Sequence, residues 1–143
     1  MSIKITSSTD KEIEVFERKE WGAEDLKHYG REVDWDKWKP TFFLFKAEKK
    51  GKVIGVIGGH LIAGVLFIER ILVTQAERNM GIGKMLLAKT EEYAKETHAH
   101  KIYLYTGKDW EAIQFYLKHG YEKTGELPNH FMKKDFVIYS KNI

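Results

Sequence analysis

At 143 residues and 16.7 kDa the chain is about one domain long, on a scale of roughly 100–200 residues per domain. A hydrophobic content of 43%, with 13% aromatics, is enough to close a core and excludes wholesale disorder. There is no cysteine, which excludes disulfides, thiolate zinc sites and a cysteine nucleophile together. The formal charge is only +3 and the pI is near 8.9, which suits mild affinity for an anion and not the basic field of a nucleic-acid binder. No stretch reaches the ~18 apolar residues of a bilayer span. The longest, Val53 to Ile68, is broken by Gly55, Gly58, Gly59, His60 and Gly64. Residues 1–4 lack the apolar centre of a signal peptide. The expectation is one domain over residues 1–143, cytoplasmic, with no membrane partner.

Residues 2–7 alternate as a short strand with Ile3 and Ile5 on one face. Thr9 or Asp10 caps a helix starting near Lys11, with Ile13, Phe16 and Trp21 loosely on one side. Trp21 to Pro40 is irregular, charged and rich in tryptophan, and reads as short helical turns and loop. Three strands follow as a meander: Thr41 to Glu48, Val53 to about Gly59, and Val65 to Val73. Their reversals fall at Lys49-Lys50-Gly51-Lys52 and Ile62-Ala63-Gly64. A helix from about Gly81 to Thr97 presents Ile82, Met85, Leu86, Ala88 and Tyr93 as its apolar side. Lys101 to Thr106 is a strand, Asp109 caps a helix over Trp110 to Lys118, and Gly120 closes it. Tyr121 to Leu127 and Asp135 to Ser140 are a closing pair of strands. The order describes an α/β sheet, antiparallel early, with a parallel crossover across residues 65–106.

The most informative segment is Arg78-Asn79-Met80-Gly81-Ile82-Gly83-Lys84. It follows an apolar strand and opens a helix, so unpaired amides and the positive dipole end point at one place, where a phosphate is favoured. Gly81 and Gly83 let the main chain approach an anion. The nucleotide-triphosphate pattern G-x-x-x-x-G-K-[ST] fails, because Met85 follows Lys84 and position 78 is Arg. The G-x-G-x-x-G pattern fails at Leu86. Either the turn binds a different phosphate ligand or it only starts a helix.

Arg78-x-x-Gly81-x-Gly83 resembles the R/Q-x-x-G-x-G/A acetyl-coenzyme A loop of the GNAT superfamily of N-acetyltransferases. Ala112-Ile113-Gln114-Phe115-Tyr116-Leu117-Lys118-His119-Gly120-Tyr121 resembles the family's A-x-x-F/L-Y-x-K-x-G-F/Y helix, in the right order and one strand downstream. The likeness covers roughly residues 41–140 and implies a GNAT-like mixed, twisted sheet of six or seven strands with about four helices. The sheet splays between its fourth and fifth strands, where acetyl-CoA enters as cosubstrate. The implied reaction is acetyl transfer to a primary amine by direct attack in a ternary complex. The alternative is a non-catalytic acyl-CoA-binding domain of the same fold.

Carried over residue by residue, Leu72 and Val73 hold the pantetheine arm. The segment Arg78, Asn79, Met80, Gly81, Ile82, Gly83 and Lys84 holds the pyrophosphate. Tyr116 stands where the family's helix carries its general acid, and its competing role is a core aromatic. Glu69 is the candidate base in an apolar strand, sharing a face with Phe67 and Ile71 by parity; His130 is the alternative base. Asp109 stands where the family often has an Asn that hydrogen-bonds the pantetheine, so it is a candidate cofactor-binding residue that can accept a bond but cannot donate an amide proton, its other role being a helix cap. The acceptor is a small-molecule amine or a protein N-terminus or lysine, met by the tryptophan segment (Trp35, Trp38) and the last hairpin (His130). Those tryptophans equally suit a core edge. No metal is expected, since His98 and His100 have no third ligand at a metal's spacing. The late strands leave a homodimer open.

Overall fold

The computed structural model describes residues 2–143. It divides into two units, Met1–Lys39 and Pro40–Ile143. In the first, residues 2–9 form no strand, which corrects the expected one over 2–7. Ile3 and Ile5 are 89% and 92% exposed, and two isoleucines without a pairing partner cannot hold a strand.

Helix α1 runs from Asp10 to Tyr29. Thr9 caps it in a reciprocal box with Glu12, the Glu12 amide donating to Thr9 Oγ1 and the Thr9 amide to Glu12 Oε2. It continues through the segment read as irregular. Ala23, Glu24, Leu26 and Lys27 are good helix formers, the Glu24–His28 pair at 3.1 Å adds support, and Gly22 costs only about 1 kcal/mol. Gly30, at φ 71°, ends it by donating to the Leu26 carbonyl. A 3₁₀ turn, Trp35–Trp38, follows behind the Asp34 cap.

The second unit is a six-stranded sheet: β1 (Thr41–Lys49), β2 (Lys52–Ile62), β3 (Val65–Val73), β4 (Lys101–Gly107), β5 (Glu122–Leu127) and β6 (Phe136–Asn142), in the spatial order β1-β2-β3-β4-β6-β5. Both early reversals are two-residue turns with positive φ at both positions, Lys50-Gly51 and Ala63-Gly64. Helix α2 (Ile82–Glu96) makes the crossover between β3 and the parallel β4, and α3 (Ala112–Lys118) joins β4 to β5. The described chain has three α-helices against about four expected.

The buried side of α2 is Leu86, Leu87, Thr90 and Ala94. Met85 and Ala88, expected inside, are exposed. Thr90 can take a core place because its hydroxyl donates to the Leu86 carbonyl at 3.0 Å. Gly120 closes α3 with the Gly120 amide on Leu117 and the Tyr121 amide on Tyr116. Asp109 does not cap this helix. The turn bonded from the Trp110 amide to the Gly107 carbonyl delays the helix, and its N-cap is Glu111.

One irregularity positions the site. Along β2 and β3, Gly58 pairs with Arg70 and Gly59 with Ile68, so Glu69 is an extra residue, a β-bulge. Leu66 and Ile68 face the core before it, and Ile71 and Val73 pack on the core after it. The inferred parity is therefore corrected: Glu69 does not share a face with Ile71. The parallel pairing of β3 and β4 covers only Val65–Ile68 against Lys101–Leu104 and stops at the bulge. Both strands then run on, to Val73 and Gly107, paired to β2 and β6 but not to each other, which leaves a wedge between them.

A Cβ at Gly59 would stand 1.8 Å from the Phe67 carbonyl oxygen, whereas one at Gly22 meets nothing within 4 Å. Gly59→Ala is therefore expected to cost about 3 kcal/mol or more, and Gly22→Ala to add about 0.5–1 kcal/mol. Urea denaturation of the two variants checks both signs.

Candidate functional site

The wedge exposes main-chain groups that no strand uses. The Thr74 amide bonds the Ile54 carbonyl at 2.8 Å, which fixes the alternation along β3. Arg70 and Leu72 turn their peptide groups toward β2, and Ile71 and Val73 turn theirs into the wedge. On the far side, the Lys108 amide bonds Asp135, so Tyr105 faces the wedge from β4. Of the two strand residues carried over from the resemblance, Val73 offers its backbone there and Leu72 does not. Ile71 was missed.

Arg78 Nε donates to the Val73 carbonyl at 3.2 Å, tying the loop to the lip of the wedge. Asn79 and Gly81 have φ 65° and 82°, and Gly81 caps α2 without a side chain. No amide from Asn79 to Lys84 has an acceptor among the described residues. No acidic side chain occupies the first turn. Free amides and the positive end of the helix dipole thus converge at one place, with Arg78 and Lys84 beside them, an arrangement that suits an anion. The two glycines have different reasons. Gly81 supplies the positive φ. Gly83 has no such φ and lies against α3, where a Cβ would reach ordinary contact with the Phe115 ring at 3.4 Å. Met80 lies 66% exposed at the turn, and Ile82 packs inward against Gly55.

Tyr116 is 4% exposed and sits in the core cluster on the helix side of the sheet, against Phe115, Tyr121 and Tyr139. Burial pushes its phenol up to about 12. It is a core aromatic whose hydroxyl makes no hydrogen bond among the described residues. Among the described residues, the one fully enclosed side-chain polar atom without a partner is another, His130 Nε2.

Glu69 lies on the opposite face. Its Oε1 is 2.7 Å from His60 Nδ1, and the His60 ring leans on Phe42 and Phe67. An ionised carboxylate only accepts, so Nδ1 is the donor. His60 was not foreseen; the signal was Gly58-Gly59-His60 in a strand opposite Glu69-Arg70, since paired glycines in a strand mark a bulge. His130 stands in the β5–β6 connection, its amide on the Lys134 carbonyl at 2.7 Å and its ring among Tyr105, Phe131 and Phe136. Asp109 is exposed, and the Trp110 ring covers Gly107, where a Cβ would come within 2.4 Å of the indole. Among the described residues no group of three His, Cys, Asp or Glu could hold a metal, and no helix is long and apolar enough to cross a membrane.

Trp35 and Trp38 belong to the first unit. There they line, with Trp21, Tyr29 and Asp25, a cleft of about 360 Å³.

The model of the Acetyltransferase (GNAT) family matches residues 10–121. Acetyltransferase Atu2258 of Agrobacterium fabrum (strain C58 / ATCC 33970) is 33% identical over 75 residues, 52% of this chain and 54% of that protein. The chain spans about half the length of the curated relatives it matches. An acetyltransferase from Bacillus cereus ATCC 14579 superimposes with a TM-score of 0.73 at 25% identity, over 99% of this chain and 98% of that one. A GNAT family acetyltransferase from Elizabethkingia anophelis, with acetyl-CoA bound, shares the fold at a TM-score of 0.63 and 23% identity, over 70% of this chain and 75% of that one.

The raised Tyr116 phenol has a consequence for stability. The unfolded chain ionises from the ordinary value of 10, and the folded one near 12. The stabilisation is therefore complete below pH 10 and drains away as pH rises toward 12. The urea midpoint is expected to fall more steeply between about pH 10 and 12 in the wild type than in Tyr116→Phe. Equal slopes would mean that the phenol is not desolvated.

Proposed function

The chain belongs to the acetyltransferase (GNAT) family, and on that premise we propose that it is an acetyl-CoA-dependent N-acetyltransferase acting on a primary amine by direct attack in a ternary complex. The single observation that carries this reading is the unpaired wedge edge at Ile71 and Val73, opening beside six amides that have no acceptor of their own. The Elizabethkingia protein of the same fold is known with acetyl-CoA bound, which supports the choice of cosubstrate. The cosubstrate supplies an activated thioester.

The protein's own groups divide the remaining work. The amides of residues 79–84, with Arg78 and Lys84, hold the pyrophosphate. Main-chain groups of Ile71 and Val73 hold the pantetheine arm, and an N–H at this edge faces the negative charge that develops on the carbonyl oxygen. Glu69, with one oxygen held by His60, keeps the other free to take the proton that an ammonium must lose before it can attack. As the new C–N bond forms, the nitrogen gives up its second proton to the departing sulfur while the C–S bond breaks, so coenzyme A leaves as the thiol, its developing negative charge met by the Tyr116 phenol. A phenol held near 12 keeps its proton throughout the physiological range. Tyr116 therefore acts as a standing hydrogen-bond donor and need not part with its proton. The absence of cysteine removes one route to an acyl-enzyme and agrees with direct transfer.

A thiol-release assay with acetyl-CoA across a panel of amines tests the reading. With the best amine, Glu69→Gln and Tyr116→Phe are each expected to lower kcat about 100-fold, while the acetyl-CoA Kd stays within about twofold. Unchanged kcat in either variant removes that residue's role. Acetyl-CoA binding without thiol release for any amine favours the non-catalytic alternative.

A further inference from the structure

The cleft of the first unit has chemistry that acetyl transfer does not use. Asp25 is the one buried residue of α1, at 6% exposure. A carboxylate at that depth calls for a cation or several donors. Among the described residues it has no ion-pair partner, and its one hydrogen bond comes from a neutral group, the Trp38 indole N–H, to Oδ2 at 3.3 Å. Its remaining acceptor capacity faces a cleft of about 360 Å³ walled by Trp21, Tyr29, Trp35 and Trp38. That size falls within the small-molecule range of about 300–1,000 Å³.

The walls favour positive charge. Tyr29 and Trp38 stand at 6.1 Å with rings tilted 47°, two sides of a cage. The Arg18 guanidinium already lies 5.4 Å from the Trp35 ring, so one indole of the group takes a cation within the chain itself. Polar acceptors are scarce. Asp25 has given one oxygen to Trp38 and Glu24 one oxygen to His28 at 3.1 Å, which leaves one carboxylate oxygen on each. A primary ammonium brings three N–H donors against those two oxygens, so at least one would go unmet among the aromatic walls. A quaternary ammonium brings none: its charge is spread over an alkyl shell that suits aromatic faces.

The geometry points to a binding site for a quaternary ammonium group, with Asp25 as its counter-ion and the four rings as its cage. Such a nitrogen has neither a proton to lose nor a lone pair, so the site recognises its ligand and does not acetylate it. It is independent of the acetyl-transfer reading.

Calorimetric titration of the full chain with choline, its neutral isostere 3,3-dimethylbutan-1-ol, and ethanolamine tests this, without acetyl-CoA present. Choline is expected to bind saturably, at least about tenfold more tightly than either comparator. Asp25→Asn should weaken choline at least about tenfold, and Trp38→Phe, which removes both the N–H and the larger ring, should weaken it too. No choline binding, equal affinity for choline and the isostere, ethanolamine binding as tightly as choline, or full affinity in both variants would each overturn the proposal. A separate acetyl-CoA titration of the same protein reports on the transferase reading alone.

Discussion

Between Gly59 and Phe67 there is no room for a side chain, since a Cβ on residue 59 would lie 1.8 Å from a carbonyl oxygen. That close approach lets β3 carry one residue more than β2 and so place Glu69 in a bulge. Three features follow from it. The strand bends, and its pairing with β4 ends at Ile68. The alternation shifts by one, so that Ile71 and Val73 follow Ile68 on the core side. Glu69 leaves the apolar face and meets His60. Without the bulge, β3 and β4 would zip along their full lengths, and no main-chain edge would remain for a ligand.

The two faces of the sheet then divide the chemistry. On the helix side, Leu86 and Leu87 anchor α2 with its amide-bearing end at the wedge, and Tyr116 sits buried and neutral in the core. On the other side, Glu69 and His60 remain partly solvated, at 38% and 22% side-chain exposure. A proton acceptor needs a route for its proton, and a donor that must stay protonated needs burial. The placement of each group agrees with its proposed task.

Much of this arrangement was legible in the sequence. The Lys50-Gly51 and Ala63-Gly64 turns, the crossover helix and the glycine at its start all announce themselves locally. The motif around Tyr116 came with a neighbour, Gly120, whose left-handed cap is a local property. What was not legible depends on partners distant in sequence. The alternation of Ile3 and Ile5 promises a strand that only a partner could hold. The parity of β3 could not be counted correctly without knowing that Gly59 admits a bulge. The length of α1 was masked by Trp21 and Gly22, whose weak propensity is outweighed by capping at both ends. Asp25 is one of 21 acidic residues in the sequence, and only its burial sets it apart.

On the proposed reading, the wedge between β3 and β4 holds the acetyl donor through its backbone. Titration of acetyl-CoA into isotopically labelled protein, followed by amide NMR, tests this most directly. The predicted result is one saturable process in which the amides of Ile71, Val73, Tyr105 and residues 79–84 shift together, while those of the β5–β6 ladder stay in place. Saturable binding whose shifts centre elsewhere, or no binding at all, would contradict the account.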